Sequence, residues 1–179
     1  MTPVEALRLA GRIQAMVPRG GAALTGSVSI DLITGEPGDR KDLDVLVQEP
    51  YMAQVEHGLQ TAGFRWESYG TWPSALWRSP QGHLVDILMV YGFVGGDWVP
   101  SWCADEPATP AAIPFVVLVS DHAPAVVATS LEAQLFRWVA AGRPGHPSAE
   151  RIRRAIGEDA SARIARMAEE ARRRCRSIC

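Results

Sequence analysis

The sequence is poor in cysteine and lysine and has no long hydrophobic run. Its three cysteines include no C-x-x-C pair, which argues against a disulfide framework or a zinc site. No stretch approaches the roughly 18 uncharged apolar residues that a membrane span needs. The first residues lack the basic and apolar regions of a secretory signal. We therefore expect a cytoplasmic protein with no membrane partner.

The charged residues are unevenly distributed, and Lys41 is the only lysine. Residues 1–150 carry 9 Lys and Arg against 16 Asp and Glu, a net charge of −7. Residues 151–179 carry 9 Arg against 4 Asp and Glu, a net charge of +5. The arginines of this second segment alternate with apolar residues at helical spacing. This pattern favours the solvated face of an amphipathic helix over a nucleic-acid-binding tail.

The order of predicted elements indicates an α+β fold, in which a mixed sheet carries helices on one side. Strands are predicted over 22–25, 42–48, 64–69, 75–78, 83–90, 115–119 and 125–128, and helices over 4–17, 28–34 and 50–62. The Gly-, Pro- and Trp-rich stretch 91–112 is predicted to be a loop. From Ser130 onward the pattern is helical. We therefore divide the chain into a core of residues 1–129 and a C-terminal helical cap of residues 130–179, packed on that core.

Two acidic residues, Asp42 and Asp44, flank Leu43 in a predicted strand. Strand side chains alternate between faces, so the two carboxylates point to the same side and repel each other unless a cation lies between them. Fourteen residues separate Asp42 from the segment Gly26–Ser27. A Gly-Ser turn offers backbone N–H groups and a hydroxyl, which are groups that bind phosphate oxygens. A divalent metal and a phosphate chain would satisfy both features.

A third acidic residue, Asp86, is the lone acid in the apolar strand 83–90. An isolated buried carboxylate is unfavourable, so this one must be paired, metal-bound or at the edge of a cleft. If the two strands are neighbours, Asp42, Asp44 and Asp86 converge on one Mg²⁺ or Mn²⁺ site, and one carboxylate could accept a proton from an attacking hydroxyl. A structural ion pair is the alternative for Asp86, and a solvated strand edge is the alternative for the other two.

These segments carry a resemblance to a known family. An apolar-Gly-Ser segment, an Asp-x-Asp strand preceded by two basic residues, and a later apolar-Asp-apolar strand resemble the nucleotidyltransferase superfamily that includes DNA polymerase β. Within it, the sequence is most similar to bacterial abortive-infection and toxin-type nucleotidyltransferases. The resemblance implies a nucleotidyltransferase-like core and the transfer of a nucleoside monophosphate from ATP or another NTP to an acceptor hydroxyl or phosphate. The acceptor could be tRNA or another RNA, a protein, or a small molecule such as an antibiotic.

The resemblance also implies roles for individual residues. The implied nucleotide-binding residues are Gly26, Ser27, Arg40, Lys41 and Arg137. The implied catalytic carboxylates, which would also bind the metal, are Asp42, Asp44 and Asp86.

One position departs from the family pattern. The helix after the sheet usually presents a lysine to the nucleotide in this family, whereas here Trp138 stands near the matching place with Arg137 beside it. An arginine differs from a lysine in geometry and in proton chemistry. Besides an active enzyme, this leaves a catalytically impaired nucleotidyltransferase-fold protein. Such a protein would bind a nucleotide or a protein partner within a two-gene, toxin–antitoxin-like system.

Overall fold

The computed structural model describes residues 1–36, 42–69, 74–94, 97–101, 109–110, 112–114, 116–120 and 125–176. The chain forms two compact units. The first unit comprises Met1–Val90 and Val117–Ala128, and the second comprises Tyr91–Val116 and Thr129–Cys179. The predicted division into a core of 1–129 and a packed cap of 130–179 stays a prediction.

The first unit begins with a helix and continues as an α+β arrangement. Its helices are α1 (Pro3–Gln14), α2 (Gly26–Thr34) and α3 (Met52–Thr61), with a short 3-10 helix at Glu49–Tyr51. The strands that pair in the sheet are β1 (Ala22–Thr25), β2 (Asp42–Gln48), β3 (Arg65–Tyr69), β4 (Ser74–Arg78), β5 (Leu84–Val94), β7 (Val116–Ser120) and β8 (Val126–Thr129). This mixed α+β architecture confirms the predicted fold class.

The sheet is mixed, and β2 lies at its centre. The strand order is β3-β4-β5-β2-β1-β8-β7, with an additional strand, β6 (Asp97–Ser101), paired to the end of β5. Strand β2 runs antiparallel to β1 and parallel to β5. Strands β3, β4 and β5 form an antiparallel series, and β1 pairs parallel with β8. Two chain segments that are distant in sequence, β5 and β8, are therefore inserted beside the β1–β2 pair.

One face of the sheet packs against helices. Leu43, Val45 and Val47 of β2 are fully buried in a hydrophobic cluster with residues of α1 and α3. Val85 and Ile87 of β5 belong to the same cluster. Because side chains alternate along a strand, Asp42, Asp44 and Asp86 lie on the opposite face. Burial of the odd-numbered residues therefore fixes the face on which the acids stand.

The second unit is mainly helical. It contains α4 (Leu131–Ala140), α5 (Pro147–Ile156) and α6 (Glu158–Arg176), and α4 contacts both of the others. Ile164 and Ala168 of α6 are fully buried. On the exposed side of that helix Arg173 pairs with Glu169 at 3.8 Å and Arg174 with Glu170 at 3.9 Å. The predicted amphipathic arginine-bearing helix is confirmed.

The structure differs from the predicted elements in two places. The helix predicted from residue 28 begins at Gly26, so the Gly-Ser segment is the first turn of α2. Part of the loop predicted over 91–112 is strand, because β5 continues to Val94 and pairs antiparallel with β6. Tyr, Phe, Val and Trp in these segments favour extended structure, and this preference outweighs the glycines and prolines around them. None of the helices in the described ranges has both the length and the apolar character needed to cross a membrane.

Core packing of α1 can be tested by truncation of Ile13, which is fully buried. We expect Ile13→Ala to lower the free energy of unfolding by about 2–5 kcal/mol, because it leaves a cavity in the helix–sheet cluster. Urea denaturation monitored by circular dichroism measures the change. Val4→Ala on the same helix is the control, since Val4 is 64% exposed and its truncation removes no core contact. Equal effects of the two substitutions would contradict this packing.

Candidate active site

Asp44 stands at the meeting point of three strands. It is the register partner of Thr25 on β1 and of Asp86 on β5. Neighbouring strands lie about 4.8 Å apart, so in-register side chains on one face are direct neighbours. Asp44 and Asp86 therefore present their carboxylates side by side, as the sequence predicted for neighbouring strands. Asp42 stands on the same face, one pleat earlier on β2.

Gly26 is in close contact with the Asp44 carboxylate. A Cβ atom at residue 26 would lie 1.8 Å from Oδ2 of Asp44 and 2.7 Å from its Cγ. The backbone φ of Gly26 is +69°, a left-handed conformation that residues with a side chain rarely adopt. Both the conformation and the space therefore require glycine here. The absence of a side chain lets the start of α2 approach the carboxylate directly.

The first turn of α2 follows β1 without a connecting loop. Thr25, the N-cap residue, is extended, and its side chain makes no capping hydrogen bond. The first N–H groups of a helix have no acceptor within the helix, and the positive end of the helix dipole lies there. Ser27 is the second helical residue and is half-buried. The N-terminus of α2, next to Asp44, thus has the properties of a phosphate-binding helix end.

The donor set suits Mg²⁺ or Mn²⁺. Mg²⁺ is typically bound by one or two carboxylates, with further ligands from substrate phosphates and water. Asp44 and Asp86 in register supply two such carboxylates, and Asp42 on the same face supplies another. Within the described ranges, no three His, Cys, Asp or Glu side chains come together in an arrangement that could hold a metal ion. These residues therefore fit a cation that is completed by phosphate oxygens, and the three-carboxylate metal site stays a prediction.

The remaining predicted site residues fall elsewhere. Arg40 and Lys41 lie outside the described residues. Arg137 lies on α4 in the second unit, where its guanidinium carbon is 5.6 Å from the centroid of the Trp138 ring. The structure thus groups Gly26, Ser27 and the three acids in one unit. The nucleotide-binding roles of the three basic residues stay predictions.

Trp138 has a defined partner in the second unit. Its ring stacks on His146, with centroids 3.7 Å apart and an interplanar angle of 8°. His146 is the N-cap of α5, and its Nδ1 accepts a hydrogen bond from the backbone N–H of Ser148 at 3.2 Å. The stack therefore joins the end of α4 to the start of α5. Sequence reasoning did not identify this role for His146, although the His146–Pro147 dipeptide marks a helix start, since proline favours the first helical position.

The surroundings of His146 favour its neutral form. Burial lowers the pKa of His146, and the positive charges of Arg143 and Arg137 lower it further. The Nδ1 acceptor role also requires an unprotonated nitrogen at that position. The neutral imidazole is thus the form that caps α5.

The Gly26–Asp44 contact predicts a specific pattern of stability changes. Gly26→Ala should destabilise the protein by more than Gly35→Ala, the matched control. Both glycines have a positive φ, but a Cβ at residue 35 meets nothing within 4 Å. Gly35→Ala should cost about 1–2 kcal/mol for the left-handed conformation alone. Urea denaturation should show that most of the excess cost of Gly26→Ala disappears in an Asp44→Ala background, where only the contact with the Cβ of residue 44 at 3.1 Å remains. Equal costs at the two glycines would contradict the contact.

The His146 cap predicts a dependence of stability on pH. The folded state holds His146 with a lowered pKa, so it binds fewer protons than the unfolded chain, in which histidine titrates near 6.5. The free energy of unfolding should therefore fall as the pH drops through about 6.5, and should level off below the folded-state pKa. Thermal unfolding between about pH 5 and 8 measures this. His146→Asn keeps a side chain that can cap α5, and it should flatten the curve of unfolding free energy against pH. The control is His57→Asn, at an exposed histidine, which should leave this curve as it is in the wild type.

Comparisons with known proteins support the fold. No protein-family model and no curated protein matches the sequence. A solution structure of the antibiotic-resistance factor ANT(2'')-Ia matches with a TM-score of 0.65 at 14% sequence identity, over 94% of this chain and 94% of that chain. A crystal structure of ANT(2'')-Ia in complex with adenylyl-2''-tobramycin matches with a TM-score of 0.61 at 16% identity, over 97% of this chain and 98% of that chain.

These matches extend over nearly the whole chain at low sequence identity. The expected likeness to abortive-infection and toxin-type proteins stays a prediction. The chain has a nucleotidyltransferase-like fold.

Proposed function

We propose that this protein is a Mg²⁺-dependent nucleotidyltransferase that transfers a nucleoside monophosphate from an NTP to a hydroxyl of a small cationic acceptor. The observation that carries the proposal is the register of Asp44 and Asp86 beside the N-terminus of α2. Two adjacent carboxylates attract a divalent cation, and a helix N-terminus attracts phosphate oxygens. An NTP with its bound metal ion carries a divalent cation and phosphate oxygens close together, as the neighbouring carboxylates and helix N-terminus require.

The first turn of α2 would hold the β- and γ-phosphates. The N–H groups of Gly26 and Ser27 and the Ser27 hydroxyl can donate hydrogen bonds to phosphate oxygens. Arg40 and Lys41 directly precede the acidic strand in sequence and would add positive charge next to the triphosphate. The family resemblance also implies a phosphate-binding role for Arg137, whose guanidinium group suits phosphate oxygens.

Asp42, Asp44 and Asp86 would bind Mg²⁺ (or Mn²⁺) only together with phosphate oxygens of the NTP, since the three carboxylates of the described residues do not form a metal-holding group by themselves. When bound, the ion supplies neutralisation of the negative charge on the phosphate oxygens. Asp86 would orient the acceptor hydroxyl and accept its proton. The acceptor oxygen forms a bond to the α-phosphorus, the bond from that phosphorus to the bridging oxygen of the β-phosphate breaks, and pyrophosphate leaves. The chain contributes positioning and charge, with no covalent intermediate on the protein.

Three observations favour a small cationic acceptor over RNA or protein. The matched crystal structure of ANT(2'')-Ia contains adenylyl-2''-tobramycin, an aminoglycoside that carries an adenylyl group. Residues 1–150 of this chain carry a net charge of −7, which attracts a polyamine and disfavours a nucleic acid. In addition, Arg173 and Arg174 on α6 are paired with glutamates of the same helix, and these glutamates offset the positive charge that would attract RNA.

A second candidate function is nucleotide or partner binding without catalysis, in a two-gene system. It is favoured by Trp138, which stands near the place where the resembling family has a lysine. Because its ring stacks on His146, it fills a structural role at the α4–α5 corner. The single lysine of the chain, Lys41, lies on a different segment.

Metal-dependent nucleotide binding is the first test. Mg²⁺ with a non-hydrolysable NTP at about 100 times its Kd should stabilise the wild-type protein by about 2.7 kcal/mol and raise the Tm by about 5–10 °C. Asp44→Asn and Asp86→Asn should lose most of this shift. The matched control is Glu49→Gln, an exposed carboxylate directly after β2, which should keep it. Differential scanning fluorimetry measures all four proteins with Mg²⁺ and with EDTA.

The outcomes separate the two functions. The absence of any Mg²⁺-dependent shift in the wild type would contradict the proposed NTP site. A shift without transfer would favour the binding protein. Transfer is measured with NTPs labelled at the α-phosphate, offered in parallel with aminoglycosides, total RNA and protein. Label on an aminoglycoside, absent with Asp86→Asn, is the expected result.

A further inference from the structure

A cavity lies in the first unit, between α1 and the turn that precedes β5. Its volume is about 310 Å³, and its lining residues are Glu5, Arg8, Leu9, Arg12, Gln81 and His83. This volume is at the lower end of the range for small-molecule sites. The cavity shares no residue with the candidate active site.

The cavity lies on the helix-covered side of the sheet. His83 precedes β5 and has the same strand parity as Val85 and Ile87, which belong to the hydrophobic cluster formed with α1 and α3. Asp86 has the opposite parity and points to the other face. A ligand in this cavity would therefore bind on the opposite side of β5 from the proposed NTP.

Arg8 and Arg12 give the cavity its positive charge. They are four residues apart on α1, so they stand on one face of the helix, about one turn apart. Both are exposed, and neither forms a salt bridge with a carboxylate of the described residues. Other described arginines do form such pairs, as Arg78 does with Glu67 at 2.6 Å. The two guanidinium groups thus remain available to an anion.

Glu5, the one carboxylate among the lining residues, is hydrogen-bonded to Thr2. Oε2 of Glu5 accepts hydrogen bonds from the backbone N–H of Thr2 at 2.7 Å and from its hydroxyl at 2.9 Å. The backbone N–H of Glu5 in turn donates to the Thr2 hydroxyl at 3.3 Å, and this bond and the bond from the Thr2 N–H form the capping box of α1. The two bonds to its carboxylate lower the pKa of Glu5. The carboxylate is therefore held toward the start of the helix, although Arg8 stands only three residues further along. With two arginines and one carboxylate, the lining is net positive.

The opposite wall of the cavity is fixed by a hydrogen-bonded turn. The N–H of His83 donates to the hydroxyl of Ser79 at 3.0 Å, and the N–H of Ser79 donates to the carbonyl of His83 at 2.9 Å. Arg78 Nη1 also donates to the carbonyl of Gly82 at 3.0 Å. These bonds hold the segment that carries Gln81 and His83, whose side chains add polar groups. The wall is thus pre-formed rather than a mobile loop.

We infer that this cavity binds a small molecule carrying two linked phosphate groups. Each guanidinium can hold one phosphate through two parallel N–H···O bonds, and the long side chains of two arginines one helical turn apart can converge on two linked phosphates. Leu9, which is nearly buried, forms an apolar floor against the non-phosphate part of the ligand. This site is independent of the NTP site proposed above and needs no metal.

Inorganic pyrophosphate in EDTA is the probe, and isothermal titration calorimetry of the whole chain is the measurement. EDTA removes the metal that the NTP site requires. We expect the wild type and Asp44→Asn to bind pyrophosphate with the same Kd. The double variant Arg8→Gln/Arg12→Gln should bind at least about tenfold more weakly, because both charge-assisted contacts are lost.

The matched control is Arg19→Gln/Arg65→Gln, which removes the same charge from two exposed arginines of the first unit that do not line the cavity. It should keep the wild-type Kd. Circular dichroism of each variant checks that it is folded. No binding by the wild type, equal weakening in both double variants, or loss of binding in Asp44→Asn alone would each overturn the inference. None of these results depends on whether the protein transfers nucleotides.

Discussion

Asp44 and Asp86 occupy paired positions on two parallel strands, and the repulsion between these neighbouring carboxylates is the constraint around which the candidate site is built. Like charges at this spacing destabilise a sheet unless something positive is placed next to them. The chain places the positive end of α2 there, since Gly26 lets the helix start directly against Asp44. In the proposed function, a divalent cation would supply the positive charge that is still needed beside the two carboxylates. The proposed ligand binding and the requirement for charge balance on folding would therefore have the same origin at this position.

Because side chains alternate between the two faces of β2, one face stabilises the fold and the other carries the acids of the candidate site. Its odd-numbered residues are buried against α1 and α3 and supply the hydrophobic stabilisation that holds the strand in place. Its even-numbered acids are thereby fixed on the other face without contributing to that stabilisation. The same division continues on β5, where Val85 and Ile87 support Asp86. The apolar face thus positions the acids, and a rigid strand positions them better than a loop would.

Local signals in the sequence were sufficient for some features of the fold and insufficient for others. The bounds of β2 and the shared face of Asp42 and Asp44 followed from alternation alone. The sequence raised the neighbourhood of β2 and β5 only as a condition, because an acid within an apolar strand needs a partner, and the structure shows the two strands paired. By contrast, the residues of β6 favour extended structure locally, but the strand with which they pair, the end of β5, cannot be identified from either segment alone. The stack of Trp138 on His146 was also missed, because the two residues belong to different helices and meet only when α4 and α5 pack.

Strands β5 and β8, which come late in the sequence, pair with β2 and β1, which come early, and this order affects folding during synthesis. As the chain leaves the ribosome, β1 and β2 can pair as soon as both are present, but the partner of Asp44 arrives only with β5, and β8 joins β1 later still. Parallel pairings of this kind close long loops and form slowly. Until β5 docks, one edge of β2 presents unpaired backbone groups, which is the condition under which strands aggregate. Charged side chains on an edge strand disfavour pairing with another chain, so Asp42 and Asp44 would protect β2 during this interval.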